Sequence, residues 1–287
     1  MTPSQPTATG LTIIRGAVRQ ALIEMRIQLL SPMAFSWLFF PGVGLLVLFF
    51  LRDSQVMGSD ISLSQLGIPG ILAMNMVSTG IMGVAGQVAV EQEDGTVLRA
   101  KAVPHAILSH VIGSVLLFTA TTVAPLLLLL VASAAIFGVA PVGAAGWVTL
   151  LWVSLLGLAA TLPWGAIFGA LMRNITLLWL VSLVIYGGMA ISGIFYPISA
   201  LPGWLQTIGQ LLPTYWIGLG MRSALLPDSA QSLELAGSWQ TWPTVGALAL
   251  WAAAGLALAP AVLRRMARRQ SGSLMQAARE RTLARGY

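Results

Sequence analysis

Apolar residues run along this chain in long blocks separated by short polar stretches, and each block predicts a helix that crosses a bilayer. The blocks at 33–51, 66–90, 147–172, 176–195 and 244–263, with one inside 105–139, approach or exceed the roughly 18 to 20 apolar residues that a spanning helix needs. Arg52 and Asp53 close the first block, and Arg173 with Asn174 closes the fourth. The second carries only Asn75 and Gln87 as strongly polar side chains, and the fifth is rich in small residues that allow close backbone approach. Stretch 105–139 is too long for one upright helix, so its first turns are expected to lie in the headgroup region.

Two further elements do not span. Leu11, Ile14, Val18, Leu22, Met25 and Leu29 share one helical stripe over residues 11–30, flanked by Arg15, Arg19 and Arg26, which predicts a helix lying in the membrane interface; Ile13, Ile23 and Ile27, off the stripe, suit the alternative of a helix packed partly against the bundle. After the fifth block, Pro197, Pro202 and Pro213 break the pattern, while Leu201, Trp204, Leu205, Ile208, Leu211 and Leu212 recur at helical spacing between them. That segment predicts a short amphipathic or re-entrant hairpin at the membrane face, followed by a polar loop carrying Arg222, Asp228 and Glu234. The fold class expected is therefore an all-α integral membrane protein, with six transmembrane helices, an N-terminal interfacial helix and an outer hairpin before the last span. Residues 1–287 form one membrane domain, with the outer hairpin and loop at 196–243.

Composition agrees with the pattern. The chain is 57% hydrophobic and 8% charged, against about 25% charged in an average soluble domain, and its mean hydropathy is +0.84. The start, MTPSQPTATG, lacks the basic region and short apolar core of a cleaved signal peptide, so the first span is expected to act as an uncleaved insertion signal.

Charge sets the orientation. With six spans, thirteen of the fifteen basic residues fall on one side, Arg99, Lys101, Arg173 and the cluster at 264–269 among them, leaving Arg52 and Arg222 on the other. The positive-inside rule then puts both termini, the segment at 91–104 and the basic tail at 264–287 in the cytoplasm; the expected location is the cytoplasmic (inner) membrane.

Several chemistries are excluded or disfavoured. There is no cysteine, hence no disulfide, thiolate metal site or cysteine nucleophile. The single lysine, Lys101, follows Ala100, so no P-loop exists here, and a G-x-S-x-G elbow is also missing. His105 and His110 are five apart, about 140° around a helix, which is poor geometry for one metal. The spans as bounded above hold no ionisable residue, which argues against an ion-coupled secondary transporter. A non-transporting membrane scaffold is the other alternative, with the charged loop serving only as a docking site.

The stretch EQEDGTVLRAKAVP at 91–104, crowded with charge after the second span, and the run SGIFYPISALPGWLQTIGQLLPTYW at 192–216 carry a resemblance. In this order they resemble the membrane subunits of ATP-binding-cassette exporters of the ABC type 2 permease family, in its daunorubicin/doxorubicin-resistance flavour. The resemblance implies a permease subunit exporting a hydrophobic drug, antibiotic or lipid. It implies no cofactor in this chain, with ATP and Mg held by a separate ATPase subunit in two copies, and a second membrane subunit, identical or related. No role with nucleic acid is expected. Carried across, Glu91, Glu93, Asp94, Gly95, Thr96, Arg99 and Pro104 form the contact with the ATPase subunit. Pro197, Pro202, Trp204, Leu205 and Ile208 are the candidates for an outer gate.

Overall fold

The computed structural model describes the backbone of residues 32–55, 61–93, 106–172 and 175–284, and the side chains of 39, 41–55, 61–92, 117–172 and 176–266. The expected interfacial helix at 11–30, together with Asp94, Gly95, Thr96, Arg99, Pro104 and Arg173, lies outside the described residues.

The described residues form helices in the order α1 (Pro32–Phe50), α2 (Leu63–Val77), a π-helical turn (Ser78–Gly83), α3 (Val84–Glu93), α4 (Ala106–Phe137), α5 (Gly143–Leu171) and α6 (Leu178–Ile191). Then come α7 (Gly203–Leu211), α8 (Pro213–Leu225) and α9 (Thr241–Ala284), with 3-10 turns at Ile175–Leu177, Ile198–Ala200 and Asp228–Leu233. Extended pairing among the described residues is confined to an isolated bridge between Gln55 and Ser62. That bridge precedes a capping box: the Ser62 hydroxyl accepts from the Gln65 amide at 3.2 Å, and Gln65 Oε1 accepts from the Ser62 amide at 3.1 Å. Two orphan donors at the start of α2 are thereby satisfied.

Among the described residues, four helical runs are long and apolar enough to cross a membrane, namely Leu63–Gln92, Leu117–Phe137, Gly143–Leu171 and Thr241–Met266. The other two of the six expected blocks, α1 and α6, are not among these four. The α6 helix has 14 residues, about 21 Å of rise, well short of a hydrocarbon core of about 30 Å. Gly193, at φ +64, turns the chain away where an L side chain would be strained, and the helix stops at Ile191. In α1 the apolar part with described side chains is Pro41–Phe50. The helix that holds the last block, α9, runs unbroken for 44 residues into the basic tail.

The central element is α5. It packs along α9, α8, α3 and the π-helical turn, while α2 lies against α8, α4 and α1. Val153 of α5, Met76 of α2, Ile217 and Met221 of α8 and Leu248 of α9 are fully buried in one core. Close approach follows from a stripe on α5 at four-residue spacing: Gly157, Thr161, Gly165 and Gly169. A Cβ on Gly165 would lie 2.6 Å from Gly80 O, and one on Gly169 would lie 2.7 Å from Ala85 O. These backbones therefore touch without side chains between them, as small residues permit in membrane helices. The π-helical turn inserts a residue into the otherwise continuous α2–α3 run. It thus rotates the face that α3 presents to the lower half of this stripe.

Candidate functional site

Helix α3 carries the chain to the charged segment, and its last turn is helical through Glu93. The first three residues expected in the loop are therefore helix, because Gln87 and Gln92 give that turn partners. Gln87 Nε2 donates to Glu91 Oε1 at 3.0 Å, and Glu91 is only 9% exposed. Gln92 Nε2 donates to Gly169 O at 2.7 Å and to Met172 O at 3.3 Å. Those carbonyls belong to the end of α5, where helical acceptors have no partner within the helix. The ends of α3 and α5 are thus stitched by one amide. Of the residues assigned to the ATPase contact, Glu91 has a described side chain and Glu93 a described backbone.

Between α6 and α8, the hairpin residues separate into two sets. Pro197 precedes the 3-10 turn and Pro202 sits just before α7, each fixing φ near the value proline demands, −59° and −56°. In α7, Leu205 is half-buried, whereas Trp204, Ile208 and Leu211 are exposed. The expected single stripe therefore divides: Gly209, against Ile191 O, marks the face turned to the protein, and Trp204, Ile208 and Leu211 form an outward apolar row. The Trp251 indole, from α9, donates to Leu211 O at 3.1 Å and ties the end of α7 to the bundle.

Arg222 is the largest departure from expectation. It lies in α8 rather than in a polar loop, and it is 3% exposed. Pro213 at the first helical position favours this helix, since its missing N–H is not needed there. The guanidinium donates from Nε to Glu234 Oε1 at 2.5 Å, from Nη2 to Glu234 Oε2 at 3.2 Å, and from Nη1 to Gly193 O at 3.2 Å. One fork thus joins α8, the end of α6 and the segment before α9. Beside it, Tyr215 is fully buried and edge-on to Trp216. Its hydroxyl has no partner at good hydrogen-bond geometry among the described residues, the Gln240 amide being the polar side chain beside it. Burial first, and the Glu234 charge second, push that hydroxyl above its ordinary 10.0, with Arg222 and Gln240 opposing.

A cavity of about 500 Å³ is lined by Arg52, Gln55, Ser62, Gln65 and Phe137 among others. It lies away from both α3 and α7 and gathers none of the predicted site residues. Sequence reasoning passed over Gln92, the Arg222–Glu234 pair and Tyr215. A signal for the pair was present in Pro213 and Leu226–Pro227, which bound a helix containing Arg222.

No curated protein matches the chain. The model of the ABC-2 family transporter protein matches residues 51–260. That match runs from the end of α1 into α9 and takes in the α3–α5 junction and the hairpin, so the chain belongs to the ABC-2 family of transporter proteins.

Proposed function

We propose that this chain is the permease subunit of an ATP-driven exporter that moves a hydrophobic drug, antibiotic or lipid out across the cytoplasmic membrane. Energy comes from a separate ATPase subunit, present in two copies, that holds ATP and Mg. A second membrane subunit completes the path. The observation that carries this reading is the stitched end of α3: the helix leading into the charged 91–104 segment is fixed by Gln92 to α5, the element around which the bundle packs. A push on that segment by a docked subunit therefore has a stiff body to act on.

In this reading the chain makes six crossings, with α1 and α6 completing theirs through flanking residues, and 196–243 faces outside. Glu91, Glu93, Asp94, Gly95, Thr96, Arg99 and Pro104 meet the ATPase, with charges pairing across a polar interface. Pro197, Pro202, Trp204, Leu205 and Ile208 close the outer end of the path.

The test is association and coupling. Replacing Glu93 and Asp94 together by alanine is expected to leave the chain inserted while lowering co-purification of the ATPase subunit or uncoupling its hydrolysis from export. Normal association and export by that double variant would remove the assignment. Single cysteines at Ser229 and Ser273, in a chain with no native thiol, read the topology: an impermeant maleimide should label the first and spare the second in intact cells.

A further inference from the structure

Both ends of α5 are fastened to segments that carry the candidate chemistry. At one end Gln92 donates to the Gly169 and Met172 carbonyls. At the other, the Val142 amide donates to Ala224 O at 3.0 Å, and a Cβ on Gly146 would lie 2.6 Å from the same oxygen. Ala224 is two residues beyond Arg222, whose fork holds Gly193 and Glu234 on either side of the hairpin. Between these ends α5 has 29 residues, about 43 Å of helix.

We propose that Gln92 is a positioning residue that couples the 91–104 segment to the α7 hairpin through α5. The inference rests on the exporter reading above and adds the route by which movement crosses the membrane. Gly165 and Gly169 bring α5 so close to the carbonyls of Gly80 in the π-helical turn and Ala85 in α3 that no side chain fits between them. Packed interfaces of this kind move as bodies rather than deforming smoothly. The Gln92 amide adds the axial tie, because its hydrogen bonds run to the exposed carbonyls at the helix end. A competing route runs up α2, where a Cβ on Gly70 would lie 2.1 Å from Ile194 O next to the hairpin. Loss of Gln92 leaves that contact untouched, so the two routes separate experimentally.

The experiment uses the full chain co-purified with its ATPase subunit and reconstituted in lipid nanodiscs. Ser229→Cys supplies an exposed reporter before Glu234. Its rate of labelling by an impermeant maleimide is compared with and without ATP plus orthovanadate. With Gln92 intact the nucleotide changes the rate; Gln92→Leu abolishes the change, and Gln92→Lys, which restores donors toward the α5 carbonyls, recovers it. Should Gln92→Leu not co-purify with the ATPase, Gln92→Glu keeps the length and removes the donor, and the same loss is expected. A nucleotide response retained in the donor-less variant overturns the link alone and assigns the movement to α2. Equal loss in the lysine variant also overturns it, leaving Gln92 a packing residue. No response with Gln92 intact overturns the exporter reading and the link together.

Discussion

Arg222 and Glu234 form a two-pronged ion pair at 2.5 and 3.2 Å, with both residues less than a tenth exposed. Two charges withdrawn from water hold each other only while both are present. Arg222→Leu is therefore expected to destabilise the folded chain by roughly 3–5 kcal/mol, because Glu234 is left buried without its counter-charge. The double change Arg222→Met with Glu234→Leu should cost much less than the single one. Thermal unfolding in detergent, followed by tryptophan fluorescence, separates the two. Equal losses would mean that the pair is solvated in the protein as it folds.

The neighbouring Tyr215 offers the reverse case. Its hydroxyl is buried without a hydrogen bond of good geometry, and a buried unsatisfied polar group costs about 1–3 kcal/mol. Tyr215→Phe should accordingly be neutral or stabilising by up to about 1 kcal/mol at neutral pH. The sign of the pH dependence follows from the upward shift. Stabilisation by the neutral phenol is complete below the unfolded value near 10.0 and is lost as pH rises through the higher folded value. The phenylalanine variant lacks that loss, so its advantage should widen above pH 10.0 in melts taken across the alkaline range.

What could be read in advance follows from which signals are local. Apolar block length located the cores of α2–α3, α4, α5 and α9, because a spanning helix satisfies its own backbone and needs only composition. The S-x-x-Q at Ser62 was a local start signal as well. The place of Arg222 is not legible locally, because a charge beside polar residues reads as a mark of water. Its partner, Glu234, lies in another element, and no window along the chain joins them. Gln92 was hidden for the same reason: an amide in a polar stretch looks solvated until Gly169, distant in sequence, is brought beside it. The division of the hairpin stripe depended on which side of α7 met Ile191, a tertiary fact.

Gly165 tests the contact between α5 and the π-helical turn. An alanine there would place its Cβ 2.6 Å from Gly80 O and 2.7 Å from Ile81 O, both backbone atoms that cannot rotate away. Gly165→Ala should therefore destabilise by about 1–3 kcal/mol, as overpacking does. Gly246 in α9 is the control, since a Cβ there meets nothing within 4 Å. Gly246→Ala should be neutral or gain up to about 1 kcal/mol from helix propensity. Parallel melts of the two variants check the contrast, and a harmless Gly165→Ala would show that the helices stand farther apart than this packing.

The hairpin poses the last question, whether its exposed row meets lipid or closes a path. Trp204 is 65% exposed and Ile208 41%, on the same side of α7, while Leu205 is half-buried toward the bundle. A gate needs the half-buried side to be a packed contact that opens and shuts, whereas a float in the headgroups needs only the outward row. Leu205→Asp puts a carboxylate into the inward contact, where burial without a partner is costly. The gate reading expects this variant to insert normally, to loosen the outer end, and to change export or raise ATPase turnover in the co-purified complex. Trp204→Ala, on the outward row, should weaken membrane contact of α7 and leave turnover near that of the parent. If Leu205→Asp exports at the parental rate at equal expression, the hairpin is a float, and the outer closure must be sought elsewhere between the two membrane subunits.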